Sequence, residues 1–422
     1  MNNVPTASIL TIGDEVLIGR TIDSNSAWLG SQLSSMGFEI RRHLTVQDKD
    51  EEIKYGLKEL LAVSDVVITT GGLGPTEDDR TKPALAEFLG KKLIFSEEVW
   101  QWVIKYAQQK HIENPEIIRN QAEIIEGSEP LYNPEGSAPG LWIEHNDKVI
   151  VALPGVPWEM KAIFKQSVAP RLKEKFNLPE FKIKVIRTIG LPEASVRNKL
   201  KDLPNKLPEN IQIGFYPSLI EVKIVLRGYD VDEKILEQWH HKIAKILGDI
   251  VYSLEDKPLA QVIGEILRQR QQTISTAESC TGGYLAHLIT SIPGSSDYYL
   301  GTVVSYHNQV KSNLLGVPEE VLETQGAVSK PTVEQMVRGV RQIIGSDWAV
   351  ATSGIAGPTG GTPEKPVGTV WIATGNNDRL SAIKFHFSGS RLDVITKAAL
   401  MGLDMLRRML EDKPMIDPNK IS

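Results

Sequence analysis

The run "SDVVITTGGLGPTEDDRTKPAL", Ser64 to Leu85, decides the fold class. It opens with a short β-branched apolar stretch ending in glycines, the pattern of a buried strand, and the chain then turns into a helix. The same grammar repeats on either side of it. "SILTIG" (Ser8–Gly13) and "KVIVALPGVP" (Lys148–Pro157) read as further strands. "SNSAWLGSQLSSMGF" (Ser24–Phe38) reads as a helix, with Ala27, Leu29, Leu33 and Met36 expected to face the sheet. Strands alternating with helices predict a doubly wound α/β domain over residues 1–176, its sheet covered on both faces. "WEMKAIFKQSVAPRLKEKF" (Trp158–Phe176) closes it as a helix kinked near Pro170, and "NLPEFK" (Asn177–Lys182) is expected to be a linker.

With 422 residues the chain exceeds a single ordinary core, so two or three domains are expected. Hydrophobic content of 41% and charged content of 24% fit a globular protein and exclude disordered and collagen-like classes. No basic-then-apolar leader opens the chain, and no apolar run has membrane-spanning length, so a cytoplasmic protein without a membrane partner is expected. A net charge of -6 and the lack of a long basic block argue against nucleic acid as a partner. The single cysteine leaves stability to packing.

From Lys182 to Ser253 the order becomes strand, helix, two strands, helix, strand, which predicts a small α+β domain of split βαβ type over residues 182–253. His240 and His241 are neighbours on its second helix; adjacent helical residues do not share a face, so they read as ordinary histidines. A third domain, residues 257–413, opens on a helix with Leu259, Val262, Ile263, Ile266 and Leu267 on one face. It continues as α/β to a closing helix over Leu392–Leu410, and the tail "DKPMIDPNKIS" is expected to be loose.

"TGGLGPTEDDRTKPAL" is shaped for an anion, because Gly71, Gly72 and Gly74 follow a strand and precede a helix N-terminus. Asp78 and Asp79 would repel that anion unless a cation bridged them. A tight turn with Asp79 as a helix N-cap is the plainer alternative. "TIGDEVLIGRTIDSNSAWL", "TTGGLGPTEDDRT", "NPEGSAPG" and "ALPGVPWEM", in this order, resemble the molybdopterin-binding domain of the MogA, MoaB and gephyrin group, in the version that begins CinA proteins. The resemblance implies a MogA-like fold and a metal-dependent ADP-ribose pyrophosphatase. Gly71, Gly72, Gly74, Thr76, Asp78 and Asp79 would line a diphosphate and metal site, with Asp48 a further acidic ligand and Gly136, Ser137 and Ala138 on the ligand. The ion would be Mg, Mn or Co. Leu73 stands where the MogA type has threonine, which turns the expectation away from molybdopterin adenylylation.

"AESCTGGY" (Ala277–Tyr284) sets two nucleophiles side by side. A strand running into this turn and then a helix would seat a phosphate and lower a thiol's pKa, which favours Cys280. Its nearest histidine in sequence, His287, lies two helical turns away, and buried cysteines are commonly inert, so a packing role stands against catalysis. Ser279 has Tyr306 and Lys311 as possible proton handlers, against a bland reading as a helix cap. "TAESCTGGYLAHLIT", "PGSSDYYLGTVVSYHNQVKSNLLGV", "GAVSKPTVEQM", "TSGIAGPTGGTPEKPVGTVWIA" and "FSGSR" closely resemble the CinA C-terminal family of nicotinamide-nucleotide amidases. That resemblance implies hydrolysis of nicotinamide mononucleotide to the nicotinate form and ammonia, without a cofactor. Ser279 would be the nucleophile, Lys311 and Tyr306 would move its proton, and Thr281, Gly282 and Gly283 would seat the ligand. Ser353 would keep a hydroxyl where threonine is usual, and Arg391 would bind the anion. Two departures stand out: Ser390 replaces the aspartate of Gly-Asp-Arg, and Ile395 replaces an arginine. "GPTGGTPEKPVG" is a phosphate loop, a lid or a turn, and Lys365 meets either phosphate or solvent.

The expectation is a homodimeric pyridine-nucleotide salvage enzyme acting on nicotinamide mononucleotide and ADP-ribose. The alternative is a non-catalytic nucleotide or molybdopterin sensor linked to competence.

Overall fold

The computed structural model describes residues 4–178, 181–203 and 206–420; of the expected linker, Pro179 and Glu180 lie outside them. The chain divides into two units, Met1–Phe181 and Lys182–Ser422.

In the first unit, β1 (Thr6–Ile12), β2 (Glu39–Val46), β3 (Val66–Thr70) and β8 (Lys148–Leu153) run parallel in the order β2-β1-β3-β8. β7 (Gly140–His145) and β6 (Glu129–Leu131) extend the sheet antiparallel. β3 is buried at every residue, which is why it reads as a continuous apolar run instead of an alternating one. Helices α2 (Ser24–Ser35), α6 (Pro157–Ile163) and α7 (Ala169–Lys175) feed one core cluster. Helices α3 (Asp50–Leu61), α4 (Thr81–Leu89) and α5 (Glu97–Gln109) feed the other. α1 (Asp14–Leu17) is a single turn after β1, and β4 (Leu93–Phe95) pairs with β5 (Glu123–Ile125) outside the main sheet.

On α2, Leu29 and Leu33 are buried but Ala27 is exposed. Two residues before Leu29 is about 200° around the helix, so the buried stripe continues through Asn25 and Ser26. The kink expected near Pro170 is a π turn over Phe164–Val168, directly before the proline whose missing N–H cannot continue the ladder.

The second unit begins with a four-stranded sheet in the order β10-β11-β9-β12, built from β9 (Phe181–Ile189), β10 (Ile211–Ser218), β11 (Glu221–Tyr229) and β12 (Val251–Ser253). With α8 (Glu193–Lys199) and α9 (Glu233–Leu247) this is the split βαβ order. Ile186, Ile224 and Leu226 share its core with Leu236, Ile243 and Leu247 of α9.

A five-stranded sheet follows, in the order β14-β13-β15-β16-β17. β13 (Ile274–Glu278), β14 (Tyr299–Val304) and β15 (Trp348–Gly354) are parallel; β16 (Thr369–Gly375) and β17 (Leu380–His386) are antiparallel. α10 (Leu259–Arg270), α11 (Tyr284–Thr290) and α15 (Arg391–Leu410) contribute to one core, and α12 (Asn308–Leu315) and α14 (Lys330–Ile344) to another. α13 (Glu319–Thr324) joins the last two.

The tail is pinned, contrary to expectation. Buried Arg408 donates to the Pro414 carbonyl at 2.9 Å, and Ile416 packs into the α15 core. The same arginine and Arg407 both bind Asp404, with all three side chains buried, and each donates to the Asp249 carbonyl at 3.2 Å. Buried guanidinium groups need this full set of acceptors, which ties the end of α15 to the turn between α9 and β12. No described helix is long and apolar enough to cross a membrane.

Candidate functional site

Two clefts open beyond the carboxyl ends of the parallel strands, where doubly wound sheets bind ligands. In the second unit, the Ser279 backbone N–H donates to Thr352 O at 2.9 Å, fixing the turn that follows β13 against β15. Lys311, 1% exposed in effect as a core residue of α12, donates from Nζ to Ser279 Oγ at 3.1 Å. Its other acceptors are the carbonyls of Ser305 at 2.6 Å and Tyr306 at 3.2 Å. Burial brings its pKa down from 10.5 to about 8. A buried amine fixed to a serine hydroxyl and partly neutral near pH 8 is a base poised for that hydroxyl.

These residues border a cavity of about 270 Å³, with Cys280, Tyr306, Ser353, Arg391 and the loop Gly354–Gly360 along its walls. Ser353 Oγ donates to Ala327 O at 2.7 Å. The Tyr306 phenol stands 3.0 Å from Arg391 Nη2, and Arg391 Nη1 donates to Gly357 O at 2.7 Å. The tyrosine therefore meets the lysine through its backbone carbonyl, and its hydroxyl meets the arginine.

Thr281, Gly282 and Gly283 do not border the cavity. Thr281 Oγ1 is buried against Thr352 Oγ1 at 2.7 Å. The N-terminus of α11 is already occupied: the buried Glu278 carboxylate accepts from the N–H groups of Gly283 at 2.9 Å, Leu285 at 3.0 Å and Ala286 at 2.8 Å. Glu278 thus takes the place foreseen for a phosphate. It was missed because a glutamate ending a strand carries no sequence signature of capping. Cys280 takes the packing role weighed for it, and only the expected lowering of its thiol pKa is overturned. No positive helix end reaches it free of Glu278, and burial pushes its thiol up to about 12, so it stays protonated and unreactive.

The departures also acquire a physical account. Ser390 caps α15, accepting from Asp393 N while Asp393 accepts from Ser390 N, a capping box that sets Arg391 at the first helical position. Ile395 packs against the core and does not border the cavity. Lys365 Nζ donates to Gln325 O at 2.7 Å and also stands outside the cavity walls.

In the first unit a cavity of about 460 Å³ is bordered by Gly71, Gly72, Gly74, Asp48, Asp78, Asp79, Ser137 and Ala138. Thr76 and Gly136 do not border it. The glycines answer to the chain itself: a Cβ at Gly71 would lie 2.0 Å from Ile12 O, at Gly72 2.4 Å from Thr81 Oγ1, and at Gly74 2.4 Å from Asp79 Oδ2. Asp79 is not a helix cap, since α4 begins at Thr81. It braces the loop, with Oδ1 accepting from Gly74 N at 2.7 Å and Oδ2 from Thr76 N at 2.9 Å. Gly136 leaves room for Glu159, whose Oε2 a Cβ would approach to 2.2 Å. Glu159 borders the cavity, accepts from Asn133 Nδ2 at 2.7 Å, and is raised above the usual carboxylate range by burial. It lay inside a quoted motif but carried no local signal.

Asp48, Asp78 and Asp79 border one cavity and are the oxygen ligands that a hard divalent ion takes, although among the described residues the three carboxylates do not bring ligand atoms within 4.8 Å of one another. Burial, with Glu15, Asp14 and Asp79 nearby, raises Asp48 above its ordinary value, a concentration of negative charge that a cation would relieve. Asp48 keeps one oxygen beyond its bond to Asp14 N at 2.9 Å, Asp78 is exposed, and Asp79 offers only the lone pairs that the loop leaves over. Buried Asn25 Oδ1, also at the cavity, has no partner among the described residues.

Three family models match the chain: a probable molybdopterin binding domain over residues 8–174, a damage-inducible protein CinA KH domain over 183–253, and a CinA C-terminal domain over 256–410. A CinA-like protein of Cytophaga hutchinsonii is 40% identical over 98% of this chain and 100% of its own length. A putative competence-damage inducible protein of Caldicellulosiruptor saccharolyticus is 38% identical over 96% of this chain and 99% of its own. The crystal structure of a Thermoplasma acidophilum protein titled CinA, with unknown function, is 35% identical over 42% of this chain and 99% of its own, with a TM-score of 0.37.

Proposed function

The chain belongs to the CinA family, and from that premise we propose that it is a bifunctional hydrolase of pyridine nucleotides. Its C-terminal part would convert nicotinamide mononucleotide to nicotinate mononucleotide and ammonia, and its first unit would split ADP-ribose with a divalent ion. The observation that carries the amidase reading is the buried Lys311 Nζ to Ser279 Oγ contact of 3.1 Å. Neutral Lys311 takes the hydroxyl proton as Ser279 Oγ bonds to the carboxamide carbon. The resulting lysinium returns that proton to the departing nitrogen, which leaves as ammonia. Water, deprotonated by the same amine, then cleaves the acyl-serine ester and releases the acid. Arg391, at the cavity rim with Tyr306 and Gly357, is the cation available for the ligand's phosphate.

In the first unit Asp48 and Asp78, with Asp79 bracing the loop, would hold Mg, Mn or Co. When bound, the ion would polarise the diphosphate and neutralise its charge. Asp79 keeps the glycine loop folded, and Glu159 is placed to hold a proton at the same cavity. Cytoplasmic location and a homodimer belong to this proposal, as do small nucleotides as the partners in place of nucleic acid or membrane. Ser390 as a helix cap and Ile395 as a half-buried residue packed against the core supply no structural motive for a ligand-only sensor.

The test is incubation of the pure chain with nicotinamide mononucleotide and, separately, with ADP-ribose, with and without chelator. Ammonia from the first, lost in Ser279→Ala and untouched by chelator, supports the amidase. AMP from the second, abolished by chelator, supports the pyrophosphatase. Products from neither substrate would overturn the proposal.

A further inference from the structure

Helix α9 carries Glu237, His240 and His241, and one ligand atom from each lies within 4.8 Å of the other two. Sequence adjacency of the histidines obscured this. Residues three and four apart share a helix face, so Glu237 lies between His240 and His241, and the two rings meet edge to face at 5.7 Å.

The hydrogen bonds fix what each ring can offer. His240 is 3% exposed and its Nε2 lies 2.9 Å from the Val185 carbonyl of β9, which can only accept. Nε2 therefore carries the proton, and Nδ1 is a lone pair, buried and without a partner among the described residues. Such an orphan is costly and calls for an explanation. His241 Nδ1 lies 3.0 Å from the Glu237 carbonyl, which leaves its Nε2 as the lone pair. His240 thus gives its N–H to a main-chain carbonyl and keeps Nδ1 free, the arrangement that orients a metal-bound histidine, whereas the exposed His241 has Nδ1 beside the Glu237 carboxylate and would release the Glu237 carbonyl to ligate. Glu237 Oε2 is engaged by Lys184, while Oε1 lies 3.5 Å from His241 Nδ1. Glu255 and Asp256 border the same cavity and add negative charge against Lys184.

We propose that Glu237, His240 and His241 form a binding site for a borderline divalent cation, Zn²⁺ in class, on the split βαβ domain. Two imidazoles and one carboxylate suit Zn²⁺, Ni²⁺ or Cu²⁺ over Mg²⁺, so the site is chemically distinct from the carboxylate site of the first unit. Since His240 is also bonded to β9, the ion would clamp α9 to the sheet.

Equilibrium dialysis of the stripped full chain against Zn²⁺, with Mg²⁺ in excess to fill oxygen-only sites, tests this. The wild type is expected to bind one Zn²⁺ that His241→Ala and Glu237→Gln weaken at least ~10-fold. Neither variant alters a buried side chain, and circular dichroism checks that both stay folded. Co²⁺ in place of Zn²⁺ should give a visible absorption band that both variants lose. Equal Zn²⁺ affinity and stoichiometry in the wild type and in His241→Ala would overturn the proposal.

Discussion

Lys311 sets the pH at which the C-terminal site works. Burial brings it from 10.5 to about 8. At pH 7 a lysine titrating near 8 is neutral in roughly one molecule in ten, against roughly three in ten thousand at 10.5, so burial raises the supply of base ~300-fold. The corresponding desolvation penalty is about 3 kcal/mol. Ammonia release should therefore show kcat/KM rising ~10-fold from pH 7 to a plateau above about 9, with an inflection near 8. The substrate phosphate titrates near pH ~6 and adds nothing in that range. The same shift makes a stability prediction. Because the folded pKa is depressed, the penalty of a buried charge is fully present below about 8 and is relieved as pH rises from there to 10.5. The wild type should accordingly gain on Lys311→Met in urea melts across that window. The assay is coupled ammonia detection from pH 7 to 10 on both proteins, with Lys311→Met expected to fall by ~10²–10⁴ and to lose the inflection. A flat wild-type profile, or an inflection near 8 that persists in Lys311→Met, would refute the neutral-lysine base.

Cys280→Ala should retain ammonia release within ~3-fold and lose about 1 kcal/mol of stability, and wild-type Cys280 should resist alkylation at pH 8 because its thiol titrates near 12; rapid inactivating alkylation would contradict this. Glu278→Gln swaps an acceptor for a donor against three backbone N–H groups, so urea denaturation should register a loss of ~2–4 kcal/mol, and an unchanged midpoint would show that the carboxylate is not what holds α11. Ser390→Asp keeps a capping side chain, so ammonia release should stay within ~3-fold, whereas Ser390→Ala should lower stability by about 1 kcal/mol; a ~10-fold gain in Ser390→Asp would show that the serine impairs the site. ADP-ribose cleavage should vanish in excess chelator and fall ~10-fold or more in Asp79→Asn, whose amide cannot accept from both Gly74 and Thr76. Chelator-insensitive turnover would remove the metal from the account.

The alternation of strand and helix patterns made the sheets legible, with β3 and β13 buried at every residue, and α10 keeps its core residues three and four apart. The chemistry of Ser279 and Lys311 was legible as a motif, since 32 residues separate them in sequence and only the fold brings them to 3.1 Å. What escaped the sequence depends on long-range partners. Glu278 acts on N–H groups up to eight residues ahead, and Arg408 fixes the tail through a carbonyl that no pattern marks. The missing Cβ at Gly74 and at Gly136 makes room for the Asp79 and Glu159 carboxylates, partners that no local pattern marks. Tyr306 was given its hydroxyl's chemistry, while its carbonyl is the part that touches Lys311.

The central claim is that Ser279 becomes acylated. The most direct measurement is mass spectrometry of the full chain quenched in acid during turnover of nicotinamide mononucleotide at about pH 8, where neutral Lys311 is present to form the acyl group. Fragmentation of the peptide spanning Thr276–Tyr284 should place a nicotinate-nucleotide ester on Ser279, absent from Ser279→Ala. An adduct on Cys280, or ammonia release undiminished in Ser279→Ala, would contradict the account.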